Sequence, residues 1–175
     1  GGWAIYLWTK QQKSKDIDII VNISELQKLK KENLSKNVNL KKYEIKYGDI
    51  DVDIYVEHYS KLAIPIENIN KYTTKLEGFK VVLPEVLLIL KQGAEIDRGN
   101  SIKGEKDRID IMSLLFFSDT DFKNYRKILK EFSKEDYTNK LIFIVKNFKD
   151  YNSVNLTPRD FKLKKEKVLK ELKKL

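Results

Sequence analysis

The residues most able to carry chemistry lie at the start of the chain: the glycine pair Gly1-Gly2 and, thirteen residues later, the aspartates Asp16 and Asp18. Glycine lets a backbone approach a bulky anionic group because it has no side chain. The aspartates lie in a run rich in Ile and Val that predicts a strand, in which alternate side chains share one face. Two carboxylates on one face repel each other, and a divalent cation between them would relieve that repulsion. Hard oxygen ligands of this kind suit Mg²⁺.

Further strands must position this pair. Residues 40–56 predict two strands joined by a turn at Tyr47-Gly48-Asp49. On the second of these strands Asp49, Asp51 and Asp53 share one face. The apolar residues from 40 to 83 are typical of a single mixed, largely antiparallel sheet that helices cover on one side. A short apolar helix is expected over residues 3–8, directly behind the glycine pair.

The pattern changes from strands to helices at Pro84, a residue that suits the first position of a helix. Apolar residues then recur at helical spacing. The glycines Gly93, Gly99 and Gly104 indicate a flexible connector between the first two helices. We therefore expect an α+β fold with a core over residues 1–83 and a helical domain, packed on that core, over residues 84–175. Further helices are predicted over residues 122–132, over residues 137–148 and from residue 157 onward.

The spacing of the first motif resembles a known signature. Gly1-Gly2, thirteen residues and then Asp16-Ile17-Asp18-Ile19 resembles the nucleotidyltransferase superfamily, which has the DNA polymerase β-like fold. In that superfamily a Gly-Gly or Gly-Ser pair precedes a strand with Asp-x-Asp or Asp-x-Glu, and a neighbouring strand adds a third carboxylate. The AbiEii-type branch, which contains toxins of toxin–antitoxin systems, is the most similar. The alternative interpretation is an exposed edge strand with two solvated aspartates.

The resemblance implies a catalytic metal site made of Asp16, Asp18 and a third carboxylate, with Mg²⁺ or Mn²⁺ as cofactor. We choose Asp53 as the third, because the strand continues beyond it and places it in the middle of the sheet. Asp51 is the alternative, and Asp49 is interpreted as a turn residue.

The resemblance also implies a phosphate-binding role for Gly1, Gly2 and Ser14. The resembled branch often has Arg-x-Thr in the turn before the aspartates, whereas this chain has Gln12 and Ser14 in those places. The missing arginine charge must then come from Lys13 or Lys15 or be absent. The chain also begins directly at the glycines, where relatives usually have a preceding helix, so we expect that a natural N-terminal segment is missing.

A second stretch resembles another AbiEii-type signature. Residues 87–91 end in Lys91, Arg98 follows, and residues 106–111 contain Lys106-Asp107 and Asp110. The resemblance implies that Lys91, Arg98 and Asp107 belong to the nucleotide-binding site. The alternative is that Lys106, Asp107 and Asp110 are ordinary surface charges and partners of helix ends.

Composition limits the classes of protein that remain. The chain of 175 residues contains no cysteine and one histidine, which excludes disulfides, thiolate metal sites and a cysteine nucleophile. No apolar run approaches the ~18 residues that span a membrane, and no signal peptide is evident. We therefore expect a cytoplasmic protein with no membrane partner.

The net charge is +9, from 35 Lys and Arg against 26 Asp and Glu. This excess favours polyanionic partners such as RNA or a nucleoside triphosphate. Much of it lies in the last predicted helix, over residues 161–175, which we interpret mainly as a solvated helix face.

The resemblance and the charge together predict a Mg²⁺-dependent nucleotidyltransferase that moves a nucleoside monophosphate from a triphosphate such as ATP to an acceptor hydroxyl. RNA, and tRNA in particular, is the favoured acceptor, and a cognate antitoxin protein is an expected partner. Two alternatives stay open. One is a transferase that acts on a protein or a small molecule, and the other is a non-catalytic nucleotide- or RNA-binding module on the same fold.

Overall fold

The computed structural model describes residues 1–175 and contains helices and strands in a mixed order, which confirms the α+β class. Short 3₁₀ turns lie at residues 70–72 and 152–154. The strands are β1 (Ile17–Val21), β2 (Ser35–Asn37), β3 (Lys42–Tyr47), β4 (Ile50–Val56), β5 (Thr73–Leu76) and β6 (Phe79–Val82). The helices are α1 (Gly2–Thr9), α2 (Ile23–Leu29), α3 (Ile66–Ile69), α4 (Pro84–Arg98), α5 (Ile102–Phe117), α6 (Phe122–Glu131), α7 (Tyr137–Asn147) and α8 (Pro158–Leu172).

The main sheet has four strands in the order β1-β4-β3-β2. β1 runs parallel to β4, and the other two pairs are antiparallel. The expectation of one sheet through residue 83 is wrong, because β5 and β6 form a separate two-stranded sheet. Glu77 and Gly78 at its turn both have positive φ, 51° and 84°, the conformation that closes a tight hairpin. The hairpin therefore pairs β5 with β6, and neither strand pairs with the main sheet.

Both faces of the main sheet are covered, so the expectation of helices on one side only is also wrong. On one face, Ile45, Ile54 and Val56 are buried against Leu26 of α2. On the other face, Ile20 and Tyr55 pack against the large core of the helical part. The reason is that the strands alternate two apolar sets, and each set needs a partner.

The large core contains residues of α1, α3 and all helices from α4 to α8. Residues Ile5, Ile64 and Ile66 belong to it, so segments before residue 83 share a core with the helices after it. The division at residues 83 and 84 stays a prediction. None of the helices combines the length and the apolar character that a membrane crossing requires.

Two of the three glycines expected in a connector lie inside helices instead. Gly93 is in α4 and Gly104 is in α5, so only residues 99–101 connect these helices. A Cβ atom on Gly93 would lie 2.6 Å from Cβ of Ala63. A Cβ atom on Gly104 would lie 2.4 Å from the carbonyl oxygen of Arg98. At both positions glycine allows two segments to pack closely. The sequence alone does not show whether a glycine has this role or makes a connector flexible.

Candidate functional site

Asp18 and Asp53 are directly opposite each other on neighbouring strands. In the parallel pair of β1 with β4, Asp18 is the register partner of Asp53. The two carboxylates therefore share one face of the sheet. The choice of Asp53 over Asp51 agrees with this register, because the pairing with β1 begins at Val52 and Asp51 lies before it. Asp49 lies in the turn, as expected.

Asp16 does not share the strand with Asp18. It is exposed and lies in a bend one residue before β1 begins. Its backbone N–H donates to Oγ of Ser14 at 3.3 Å, a local turn that competes with strand pairing. The expectation that both aspartates lie on one strand face is therefore wrong. Asp18, in contrast, is half-buried, with 26% of its side chain exposed.

A third acidic residue, Glu44 of β3, continues the line that Asp18 and Asp53 begin. Glu44 is the register partner of Asp53 in the antiparallel pair of β3 with β4. We call Asp18, Asp53 and Glu44 the acidic row. The pKa of Asp53 is raised, because burial outweighs the hydrogen bond and the charge of Lys42, and the charges of Asp18 and Glu44 add smaller contributions in the same direction. The row therefore contains carboxylates whose mutual repulsion favours a cation.

Lys42 of β3 supplies a cation within the acidic row. Its Nζ lies 2.5 Å from Oδ2 of Asp53 and 3.1 Å from Oε1 of Glu44, and only 12% of its side chain is exposed. Burial works against the ammonium charge, but the hydrogen bonds to Asp53 and Glu44 leave the pKa of Lys42 raised. Sequence analysis missed both Lys42 and Glu44. Their spacing of two residues puts both on one face of a strand. Only the register of β3 with β4 shows which residues they contact.

The glycine pair closes against Asp18 and Ser14. A Cβ atom on Gly1 would lie 1.3 Å from Oδ2 of Asp18, and one on Gly2 would lie 2.6 Å from Cβ of Ser14. Only glycine permits this approach. The pair is at the start of α1, and the start of a helix favours anions. Lys106 of α5 adds a positive charge there, since its Nζ donates to Oγ of Ser14 at 3.4 Å.

Gln12, at the place where the resembled branch often has arginine, is turned to another part of the chain. Its Nε2 donates to the carbonyl oxygen of Ser153 at 2.9 Å. Lys106 is therefore the cation that contacts Ser14, and sequence analysis gave it no separate role. Its position next to Asp107 in the second signature was the available signal.

Lys91, Arg98 and Asp107 lie together, and Asp110 joins them. Nζ of Lys91 is 3.1 Å from Oδ1 of Asp107 and 2.6 Å from Oδ2 of Asp110. Arg98 donates from Nε to Oδ2 of Asp107 at 2.7 Å and from Nη2 to Oδ1 at 3.0 Å. We call these four residues the ion network of α4 and α5. Asp107 is 1% exposed, so this carboxylate is not an ordinary surface charge.

Within the ion network the two cations differ in what they can still bind. Burial disfavours the charge of Lys91, but Asp110 and Asp107 leave its pKa raised, and 15% of its side chain is exposed. Arg98 is 42% exposed. Hydrogen bonds with Asp107 raise the pKa of Arg98, and the charge of Asp18 contributes to that rise. Arg98 is therefore the member of the network that is open to solvent and electrostatically coupled to the acidic row.

The acidic row suits Mg²⁺ in the chemistry of its donors, and Lys42 occupies two of its carboxylates. Carboxylate oxygens are the ligands that Mg²⁺ prefers, and Asp18 and Asp53 are register partners on neighbouring strands. No group of three or more His, Cys, Asp or Glu side chains in the chain is arranged to hold a metal ion. Asp53 is at present paired with Lys42.

Comparison with protein-family models, with curated proteins and with solved structures finds no match to this chain. The chemistry of the site must therefore be argued from its own residues.

Proposed function

We propose that this chain is a Mg²⁺-dependent nucleotidyltransferase with a DNA polymerase β-like fold. The observation that carries the proposal is the register pairing of Asp18 with Asp53, at a sheet face where Gly1 closes against Asp18. The glycine pair, Asp18 and the carboxylate of a neighbouring strand are parts that the sequence resemblance implies. The convergence of Gly1, Asp18 and Asp53 supports a nucleotide site more than a pair of solvated aspartates.

In the proposed reaction, the acceptor hydroxyl attacks the α-phosphorus of a nucleoside triphosphate. The bond from this phosphorus to the bridging oxygen breaks, pyrophosphate leaves, and the acceptor retains the nucleoside monophosphate. Asp16, Asp18 and Asp53 would hold Mg²⁺ or Mn²⁺, which when bound neutralises phosphate charge and lowers the pKa of the attacking hydroxyl. Asp16 would have to turn toward the acidic row from its exposed position.

The phosphates of the triphosphate would be bound beside the glycine pair. The start of α1 and the hydroxyl of Ser14 offer hydrogen-bond donors without a bulky side chain. Lys106 contacts Ser14 and would add positive charge. Arg98 is half-exposed and would bind phosphate oxygens with the edge of its guanidinium. Asp107, which is buried and also pairs with Lys91, would hold Arg98 in place.

RNA, with tRNA as the favoured example, is the proposed acceptor. The net charge of +9 attracts phosphates and disfavours a cationic acceptor such as an aminoglycoside. The resemblance to toxin-type transferases points the same way, and it also suggests a cognate antitoxin protein as a partner.

A second candidate is a nucleotide- or RNA-binding module that performs no transfer. The observation that favours it is Lys42, whose ammonium already compensates Asp53 without a metal ion. Such a module would bind a triphosphate or RNA at the same surface and would release no pyrophosphate.

The test is to incubate the protein with Mg²⁺, total RNA, cell lysate and each nucleoside triphosphate labelled at its α-phosphate. We expect label in the RNA fraction, and we expect Asp18→Asn to remove it. Label found only on protein would show that RNA is not the acceptor. Label in no fraction, with binding of the triphosphate retained, would favour the binding module.

A further inference from the structure

Lys42 lies among the carboxylates of the acidic row in the way that a bound cation would. Its Nζ contacts Asp53 at 2.5 Å and Glu44 at 3.1 Å. Both contacts are on one sheet face, since Lys42 and Glu44 are two residues apart on β3 and Glu44 pairs with Asp53. At 12% exposure of its side chain, Lys42 is shielded from most competing water. Solvent therefore screens this pair less than a surface ion pair.

The charge of the row leaves room for more than one cation. Its three carboxylates, Asp18, Asp53 and Glu44, carry three negative charges when ionised, and Lys42 compensates one of them. Lys42 also has two partners, so it can leave Asp53 and remain with Glu44. A divalent cation that binds Oδ2 of Asp53 would displace this ammonium, which lies 2.5 Å from the same oxygen, because two cations repel each other strongly at such distances.

We propose that Lys42 sets the divalent-metal affinity of the acidic row by competing for Asp53, and that Glu44 is the partner that keeps Lys42 when the metal binds. This inference rests on the proposed function, because it takes Asp18 and Asp53 as metal ligands. It adds Lys42 as a residue that positions charge at the site without touching the substrate. Its consequence is that metal binds weakly to the protein alone and more strongly together with a triphosphate, whose negative charge compensates the displaced ammonium.

Lys46 offers a matched control on the same strand. It lies four residues after Lys42 and on the same face of β3, but it is 76% exposed and its nearest carboxylate, Asp51, is 3.8 Å away. Asp51 has no register partner on β1. Removal of the Lys46 charge therefore changes the electrostatic potential at the sheet but leaves the ion pair of Lys42 with Asp53 in place.

The experiment measures Mn²⁺ binding to the full chain without nucleotide, from the electron paramagnetic resonance signal of free Mn²⁺. We expect Lys42→Met to bind Mn²⁺ about tenfold more tightly than the unchanged protein, since the ion no longer displaces an ammonium. Lys42→Arg should bind no more tightly than the unchanged protein, and Lys46→Met should change the affinity little. Adding Asp53→Asn to Lys42→Met should remove the gain. A thermal melt shows whether each variant is folded, and Lys42→Gln replaces Lys42→Met if that variant is not.

Three results would overturn the role of Lys42. These are an unchanged or weaker Mn²⁺ affinity in Lys42→Met, an equal gain in Lys46→Met, and no Mn²⁺ binding in any variant. If Lys42→Met binds Mn²⁺ tenfold more tightly but the unchanged protein transfers no nucleotide, Lys42 is still the competing cation. That result would contradict only the proposed activity. The two failures are therefore distinguishable.

Discussion

At the scale of single residues, Asp107 of α5 binds two cations of α4 while being almost fully buried. It accepts two hydrogen bonds from Arg98 and one from Lys91, and 1% of its side chain is exposed. Asp107→Asn keeps the shape and removes the charge, so Arg98 and Lys91 lose their common partner. Lys91 still has Asp110, which limits the loss. We expect the free energy of unfolding to fall by about 2 kcal/mol, as measured by urea denaturation.

The control for this prediction is Asp136→Asn. Asp136 also pairs with a lysine, Lys140, at 2.6 Å, but its side chain is 60% exposed, and exposed pairs contribute little to stability. If the two variants lose the same stability, the ion network is not a buried structural link.

The sequence could predict those site residues whose position follows from the pattern along one strand. It could not predict those whose contacts follow from the pairing between strands. The alternation of Asp49, Asp51 and Asp53 gave a shared face, and continuation of the strand singled out Asp53. Lys42 and Glu44 could not be found in this way, because their contacts depend on how β3 pairs with β4. Asp16 was assigned to a strand, but its amide is bound by the Ser14 hydroxyl, and a short-range bond of this kind competes with extended pairing.

At the scale of elements, Gly93 sets how closely α4 approaches the segment before α3. A Cβ atom there would lie 2.6 Å from Cβ of Ala63, a distance at which one backbone must move. Gly93→Ala gains about 1 kcal/mol of helix propensity, but overpacking a core costs about 1–3 kcal/mol. We expect net destabilisation in thermal and urea melts.

The matched test is the double variant with Ala63→Gly. It removes the opposing methyl group, so stability should recover toward that of the unchanged protein. If Gly93→Ala is as stable as the unchanged protein, the two segments can move apart without a loss of stability.

The elements themselves follow from local signals more fully than their arrangement does. Pro84 begins α4 at N1 as predicted, and Pro158 begins α8 with Thr157 as its cap. The pairing of β5 with β6 alone, and the cover on both faces of the main sheet, were not predicted. Helix starts depend on neighbouring residues, whereas the sheet that a strand joins depends on contacts with residues distant in the chain, which local patterns do not show.

At the scale of the whole molecule, the candidate site lies where the main sheet meets the helical part. The acidic row is on the sheet, and Arg98 and Lys106 come from α4 and α5. The small core under α2 supports one face of the sheet, and the large core packs on the other through Tyr55 and Ile20. Carboxylates and cations from separate elements thus converge only in the folded chain. This convergence is what the proposed transfer needs, because the metal ligands and the phosphate-binding cations must act on one nucleotide.

The measurement that tests this account most directly is Mg²⁺-dependent pyrophosphate release from each triphosphate with RNA present. It compares the unchanged protein with Asp18→Asn, Asp53→Asn and Asp51→Asn. Asp51 is the matched control, because it shares a strand with Asp53 but has no register partner on β1. We expect release to fall by at least about a hundredfold in the first two variants and to persist in Asp51→Asn, and thermal melts check that all three variants are folded. Release that survives unchanged in folded Asp18→Asn and Asp53→Asn would contradict the account.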